Sequence, residues 1–215
     1  IMAANNETGA IQPIARLAAL AHARGALFHT DAVQALGHIP LTLKDTDIDF
    51  LSGSAHKFHG PKGVGILFAR RDIELESLIF GGEQERGKRA GTENVPGIVG
   101  MAAALEEAIR NLEANASRMA AARDALEQQL LTLPGTRVHS GQVPRLPGHL
   151  NMAFDGVPAE ALLPVLGMAG ICVSAGSACA SGSPEPSHVL LALGCTPEEA
   201  RCSLRFSLGD DITLE

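Results

Sequence analysis

A chain of 215 residues can bury one or two cores, and its 46% apolar and 19% charged residues exclude a disordered polymer. The formal net charge of −7 argues against a nucleic-acid-binding protein, which usually carries a basic face. The chain has no uniformly apolar stretch and no basic-then-apolar leader, so we predict a cytoplasmic protein without membrane or nucleic-acid partners.

The first half of the chain alternates segments typical of strands and helices. The pattern predicts a strand tail at 1–4, a helix over 13–24, and strands over 26–30, 48–51 and 65–69. Gly25 is a suitable stop for the helix. Strands and helices that alternate with short connections predict an α/β fold with a mostly parallel sheet flanked by helices.

The pattern changes in the second half. Residues 95–131 are rich in Ala, Glu and Leu and predict one long helix or two consecutive ones. Prolines and glycines between 134 and 148 predict a loop region. Further elements are predicted as strands over 150–154, 171–174 and 203–207, a helix over 159–166 and a helical turn over 197–200. We therefore predict a domain over 1–108 and a smaller α+β domain over 109–215.

The four cysteines form no C-x-x-C pair, and their spacing matches no common zinc pattern. We predict neither a structural disulfide nor a metal site. Cys172, Cys195 and Cys202 are interpreted as small buried residues. Cys179 differs because it lies in AGSACASGS, which offers little to pack into a core. It is either a nucleophile on a movable loop or an incidental exposed thiol.

Polar side chains follow three of the predicted strands. These are Asn5 and Asn6 after the first, His29, Asp31 and Gln34 around the second, and Ser54, His56 and Lys57 after the third. Each has an ordinary alternative: Asp31 can cap a helical turn, His56 can be a core histidine, and Lys57 can be solvated. Because parallel strands end at one edge of a sheet, we predict that the groups converge on one pocket. His29 is assigned a structural role on the opposite side of its strand.

A lysine and a carboxylate at adjacent strand ends suit pyridoxal phosphate chemistry. The lysine forms a Schiff base with the cofactor aldehyde, and the carboxylate pairs with the protonated pyridine nitrogen. Schiff-base formation needs a neutral amine, which desolvation and neighbouring positive charge favour. Lys57 and Asp31 are the residues predicted for these roles.

Several strings extend this prediction to a family. NNETG, HTDAVQALG, SGSAHKFHGPKG, ERGKRAGTENV, VSAGSACASGSPEPSHVL and RCSLRFSLG occur in this order. Together they resemble the class I cysteine desulfurases of the iron–sulfur-cluster and nitrogenase type, which are fold-type I pyridoxal phosphate enzymes of aminotransferase class V. The resemblance implies part of a fold-type I large domain plus a small α+β C-terminal domain. Members of this family are longer, so it also implies that the N-terminal half is missing from this chain.

The resemblance implies a role for each matching residue of the cofactor pocket. Lys57 matches the Schiff-base lysine, which also moves protons, and Asp31 matches the partner of the pyridine nitrogen. Gln34 matches the residue that hydrogen-bonds the phenolic oxygen of the cofactor. Ser54 and His56 match phosphate ligands, and His56 is also placed among the catalytic residues.

The remaining matches concern substrate and partners. Cys179 matches the nucleophile that takes the sulfur as a persulfide. Asn6 and Arg205 match positions that hold the substrate carboxylate, and Asn6 is also placed among the cofactor contacts. Thr92 matches a threonine that reaches the phosphate bound in the other subunit, so a homodimer is implied.

The implied activity is conversion of L-cysteine to L-alanine. The sulfane sulfur passes through a persulfide to acceptor or scaffold proteins, for iron–sulfur-cluster assembly or thiolation. One alternative is a selenocysteine lyase or another pyridoxal phosphate-dependent β-eliminating enzyme. A second alternative is a catalytically incomplete chain that acts only as a dimerisation or docking module.

Overall fold

The computed structural model describes residues 1–176 and 185–213, which belong to two compact units. The first unit comprises Ile1–Ala3 and Gln12–Leu112, and the second unit comprises Ala4–Ile11 and Glu113–Glu215. A short N-terminal segment therefore packs with the C-terminal half of the chain. Within the described residues, no helix is both long enough and apolar enough to cross a membrane.

The first unit is built on a mixed three-stranded sheet. Its elements are α1 (Ile14–His22), β1 (His29–Asp31), β2 (Phe50–Ser54), β3 (Gly65–Ala69) and α2 (Val95–Arg110). β1 pairs with β2 in parallel, and β3 pairs with β2 antiparallel. The predicted strand tail at 1–4 runs beside β1, where the Asp31 N–H donates to the Ile1 carbonyl at 3.0 Å and the Ala3 N–H donates to the Asp31 carbonyl at 2.7 Å.

The prediction of a mostly parallel sheet is wrong at β3. Only residues 55–64 separate β2 from β3, and a parallel crossover needs roughly a dozen residues or more. The 18 residues 32–49 between β1 and β2 are enough for such a crossover. The α/β class is confirmed, whereas the sheet is mixed because its last connection is short.

A buried carboxylate sets where the first two strands begin. Phe28 and Ile48 are 5% and 1% exposed, yet regular pairing starts only after them. The Phe28 N–H donates instead to Oδ2 of Asp49 at 2.6 Å, and His22 Nε2 lies 2.7 Å from the same oxygen. Burial alone would raise the pKa of Asp49, but these hydrogen bonds, with the charges of His22 and Arg70, hold that pKa below its ordinary value.

Replacing Asp49 with asparagine is expected to destabilise the protein by about 3 kcal/mol at pH 7, because the amide keeps one acceptor oxygen but loses the charge that strengthens the buried hydrogen bonds and attracts His22 and Arg70. The unfolded chain binds more protons at this site than the folded chain. The stabilisation is therefore present above the unfolded-state pKa and is lost as pH falls through the folded-state pKa. Urea denaturation of wild type and variant across this pH range measures the effect. Asp47→Asn is the matched control, since the Asp47 side chain is 50% exposed; a pH-independent difference for Asp49→Asn would contradict the prediction.

The second unit is an antiparallel sheet with helices. Its strands are β4 (Thr136–Val138), β5 (His149–Phe154) and β6 (Ser203–Ser207), with β5 in the centre. Its helices are α3 (Leu112–Leu130), which enters the unit at Glu113, α4 (Ala159–Met168), α5 (His188–Ala192) and α6 (Pro197–Arg201). Leu150, Met152 and Leu204 are almost fully buried in its core.

Two predictions for the second half have clear outcomes. The sequence allowed one or two helices over 95–131, and two are observed because α2 ends at its C-cap Asn111. The predicted strand at 171–174 is wrong. Only Ser174 pairs, in a single bridge to Arg205, while Ile171 and Cys172 are exposed.

Candidate active site

The carboxyl ends of β1 and β2 lie at one edge of the first unit's sheet. Asp31 is opposite Ser52 in the parallel register, and β2 continues two residues further, to Ser54, about 7 Å along the strand. His29 Nε2 and Ser52 Oγ are hydrogen-bonded at 3.0 Å, so His29 lies on the same face as Asp31. The assignment of His29 to the opposite side of the strand is wrong, because side chains two residues apart share a face.

The two carboxylate oxygens of Asp31 differ in their hydrogen bonding. Its Oδ1 accepts the Val33 N–H at 2.9 Å, so the capping alternative is observed. Within the described residues, Oδ2 of this half-buried carboxylate makes no hydrogen bond. Gln34 follows in the same turn and is 9% exposed. A cap and a ligand contact are compatible, because the two oxygens can serve them separately.

Lys57 is carried on a short 3-10 turn, Ala55–Phe58, that directly follows β2. Ala55 and Phe58 are buried and pack with Met101 of α2. This inward pair leaves His56 exposed and Lys57 half-buried, so the core-histidine alternative for His56 is wrong. The two buried residues anchor the turn, and the other two are accessible beside the end of β2.

The backbone of this turn is held at both sides. His38 Nε2 donates to the Lys57 carbonyl at 2.7 Å. After the turn, a Cβ atom on Gly60 would lie 2.8 Å from Ala55 Cβ, so only glycine fits there without a shift. The backbone at Lys57 is therefore fixed, while its long side chain projects from it.

Two further predicted residues lie in the first unit. Ser54 Oγ and His56 Nδ1 are hydrogen-bonded at 2.8 Å, which pairs a hydroxyl and an imidazole beside Lys57. Thr92 is exposed on the segment that precedes α2. The structure thus brings Ser54 and His56 together, whereas Thr92 lies on another segment of the first unit.

The predicted carboxylate-binding residues meet in the second unit. Arg205 Nη1 on β6 donates to the carbonyl of Asn6 at 3.0 Å. On the neighbouring strand, Asn151 is the register partner of Arg205, and its Nδ2 donates to the carbonyl of Glu7 at 3.2 Å. Two strand side chains therefore hold successive carbonyls of the NNETG segment. Cys179 lies outside the described residues.

Sequence reasoning missed Glu7 and Asn151. They are 2% and 1% exposed, and both belong to the polar layer between the NNETG segment and β5. A charged residue inside NNETG could have drawn attention to Glu7. Nothing in the string LNMAF distinguished Asn151 from a surface residue of an alternating strand.

A second thiol, Cys195, is paired with a buried histidine. Ser203 Oγ donates to the Glu199 carbonyl at 2.7 Å, so the hydroxyl accepts from His139 Nε2 at 3.0 Å. The Cys195 thiol then donates to His139 Nδ1 at 3.6 Å. Burial lowers the pKa of His139, and the charge of Arg137 lowers it further. Burial also raises the pKa of the Cys195 thiol, as does the charge of Glu199. Both groups are neutral, which does not suit a nucleophilic pair.

Cys195 is expected to react with iodoacetamide at pH 7.5 more slowly than Cys172, by roughly an order of magnitude, because its thiolate is disfavoured. Cys172 is exposed and serves as the internal reference, so the expectation that it is buried is wrong. Mass spectrometry of the two peptides after timed quenching measures both rates in one sample. Equal rates would contradict the assignment of a neutral, hydrogen-bonded thiol.

Known proteins are similar to this chain over almost its whole length. Residues 1–215 match the family described as aminotransferase class-V. A cysteine desulfurase from Gluconacetobacter diazotrophicus is 52% identical over 214 residues, which are 99% of this chain and 54% of the relative. The chain therefore spans about half the length of such curated relatives.

Solved structures show the same likeness. A NifS-like protein from Rickettsia africae superposes with a TM-score of 0.92 at 34% identity, covering 100% of this chain and 57% of that one. SspA in complex with cysteine gives a TM-score of 0.79 at 35% identity, covering 97% and 57%. With sequence and fold in agreement, this chain belongs to the aminotransferase class-V family and is a homologue of the cysteine desulfurases.

Proposed function

We propose that the protein acts as part of a pyridoxal phosphate-dependent cysteine desulfurase, which converts L-cysteine to L-alanine and passes the sulfur to acceptor proteins. The observation that carries the proposal is the strand-end cluster of Asp31, Ser54, His56 and Lys57, on a chain 52% identical to a cysteine desulfurase. The likeness to SspA, solved with cysteine, supports the choice of substrate.

The residues present fit the cofactor. Asp31 offers a carboxylate oxygen that makes no hydrogen bond within the described part of the chain, which suits a protonated ring nitrogen. Ser54 and His56 form a hydrogen-bonded pair suited to phosphate oxygens. Gln34, Asn6 and, from a second copy, Thr92 complete the proposed ligand set. When bound, pyridoxal phosphate supplies an aldehyde that captures amines and a ring that accepts electrons.

Lys57 is proposed to bind the cofactor and to hold and move protons at Nζ. Its backbone is fixed by His38 and by the buried residues of its turn. Because the backbone is fixed and the side chain is flexible, Nζ can reach more than one atom while the Lys57 Cα stays in place. His56, next to it on the exposed side of the turn, is proposed to assist in binding and catalysis.

Arg205 and Asn6 are proposed to bind the carboxylate of L-cysteine. A guanidinium is planar and matches a carboxylate with two parallel hydrogen bonds. Arg205 already donates one hydrogen bond to the Asn6 carbonyl, which fixes the orientation of its plane. Binding energy at the carboxylate then orients the side-chain sulfur of the substrate.

Cys179 is proposed as the sulfur acceptor. Its thiolate attacks the substrate sulfur, an S–S bond forms, and the carbon–sulfur bond breaks with its electron pair left on carbon. A proton from Lys57 restores the balance, so that L-cysteine and a thiol give L-alanine and a persulfide. An acceptor protein then takes the terminal sulfur from the persulfide.

A second copy of the chain is the proposed partner of an apolar segment near Thr92. Leu78 and Phe80 are 93% and 86% exposed. The Ala90 N–H donates to the Ile79 carbonyl at 3.1 Å, which joins this segment to the one that carries Thr92. Exposed apolar side chains of this size mark protein interfaces. Sedimentation equilibrium of wild type and Phe80→Ser tests the homodimer.

Cofactor capture and product formation test the function. The purified chain is mixed with pyridoxal phosphate, reduced with borohydride and mapped by mass spectrometry, and a parallel sample receives L-cysteine for alanine and persulfide analysis. An adduct on Lys57 together with alanine supports the proposal. An adduct without alanine, or no adduct on a folded chain, overturns it for this chain and favours the docking-module alternative.

A further inference from the structure

Glu7 is a buried carboxylate in the second unit that the proposed chemistry does not use. It is 2% exposed, and its Oε2 accepts the Ser187 hydroxyl at 2.5 Å. The same hydroxyl accepts the Leu190 N–H at 3.2 Å as the N-cap of α5, so its own hydrogen is available to Glu7. A buried carboxylate is costly unless it is well hydrogen-bonded, so the Ser187 contact is energetically important.

The same oxygen also lies near the chain before Cys179. A Cβ atom on Gly176 would lie 3.2 Å from Glu7 Oε2 and 3.6 Å from Ser187 Cβ. Gly176 has φ +70, a conformation that side-chain-bearing residues rarely adopt. Gly176 and Ser187 therefore lie beside one carboxylate, and the group of Glu7, Gly176 and Ser187 is called the loop base. The ten residues 177–186, which include Cys179, lie between its two ends.

The loop base is tied to the proposed carboxylate site. The Ser174 N–H donates to the Arg205 carbonyl at 3.1 Å, and the Arg205 N–H donates back to the Ser174 carbonyl at 2.7 Å. On the other side, Asn151 of β5 holds the Glu7 carbonyl. β6, which carries Arg205, and β5, which carries Asn151, are adjacent in one sheet.

We propose that Glu7 is a positioning residue for sulfur transfer, which closes the loop base and so fixes the point from which Cys179 reaches the substrate sulfur. This inference rests on the proposed function, since it assigns Cys179 as the acceptor. A misplacement of about 1 Å can cost on the order of 100-fold in rate. A carboxylate that holds Ser187 by a hydrogen bond and lies beside Gly176 limits that misplacement.

Hydrogen exchange tests the loop base without cofactor or substrate. In Glu7→Ala, exchange of the Ser174, Leu190 and Leu191 amides is expected to accelerate by roughly tenfold or more, because one charge-assisted hydrogen bond is lost. Glu7→Gln keeps an acceptor for Ser187 and is expected to remain much nearer to wild type. Ser203→Ala, which removes a hydrogen bond of His139 elsewhere in the second unit, is the control and is expected to leave these three amides unchanged.

Single-turnover sulfur transfer tests the consequence. The rate of persulfide formation on Cys179 is expected to fall about 100-fold in Glu7→Ala, with the half-saturating concentration of L-cysteine changed less than the rate and with recovery in Glu7→Gln. Unchanged exchange at the three amides, or equal acceleration throughout the second unit, overturns the proposal. If Glu7→Ala does not fold, Ser187→Ala opens the same contact and is judged at the Ser174 amide and by the persulfide rate, because this variant itself removes the acceptor of the Leu190 N–H.

The two proposals fail in different ways. If wild type forms no persulfide, the proposed function fails, and the exchange data alone decide whether Glu7 closes the loop base. If wild type forms persulfide and Glu7→Ala forms it at the same rate, the positioning role fails while the function stands.

Discussion

Replacing Lys57 with alanine is expected to abolish the borohydride-stable adduct with pyridoxal phosphate and to lower L-cysteine turnover by about 10²–10⁴-fold or more. The variant loses both the amine that binds the aldehyde and the group that moves protons. Its fold is expected to survive, because the turn is anchored by Ala55 and Phe58 rather than by the lysine side chain. Peptide mapping after reduction, combined with alanine analysis, measures both losses.

Lys62→Ala is the matched control for this experiment. Lys62 lies in the same glycine-rich stretch but is exposed, so its removal is expected to leave the adduct and the turnover within about twofold. An adduct that persists in Lys57→Ala would contradict the assignment of Lys57. So would a wild-type adduct found on Lys62 instead of Lys57.

Replacing Cys179 with serine is expected to eliminate persulfide formation on the protein while leaving the cofactor adduct intact. A serine hydroxyl is not a thiolate at neutral pH and cannot take up sulfur as a persulfide. Cys179→Ser is thus expected to lose persulfide formation and keep the cofactor adduct, whereas Lys57→Ala is expected to lose both. Persulfide-specific labelling after a single turnover, beside borohydride mapping of the same sample, detects this difference.

Cys172→Ser is the control for Cys179→Ser, because Cys172 is a free, exposed thiol. It is expected to retain persulfide formation. If L-cysteine turnover survives in Cys179→Ser, the persulfide mechanism is wrong. Turnover of L-selenocysteine that does not need Cys179, with L-cysteine inert, would favour the selenocysteine lyase alternative.

The sequence predicted correctly the bounds of strands that are defined by residue alternation and flanking turn residues. The strands over 65–69 and 203–207 are observed with those bounds, since alternation and flanking turn residues define them. β1 and β2 begin later than predicted because Asp49 takes the Phe28 N–H away from the sheet. Thr136–Val138 was missed because a three-residue strand with an arginine at its centre carries no detectable period.

The site divides in a similar way. Strand-end position predicted Asp31, Ser54 and Lys57, because parallel pairing brings strand ends to one edge whatever the tertiary details. Glu7 and Asn151 were missed because their importance comes from burial against each other's segment, 144 residues apart in sequence. No local window contains such a contact, so only the folded structure reveals it.

The route of the chain through the second unit has a consequence for the order of folding. Glu7 meets Ser187 across 180 residues, and Asn6 meets Arg205 across 199 residues. Contacts between residues this distant in sequence close long loops, which costs entropy. They therefore form late and slow folding. During synthesis, the Glu7 carbonyl finds its donor only after β5 is made, and the Asn6 carbonyl finds its donor only after β6 is made. The first unit, which does not include this segment, can be complete long before that. The proposed carboxylate site and the loop base are therefore expected to be the last parts of the described chain to form.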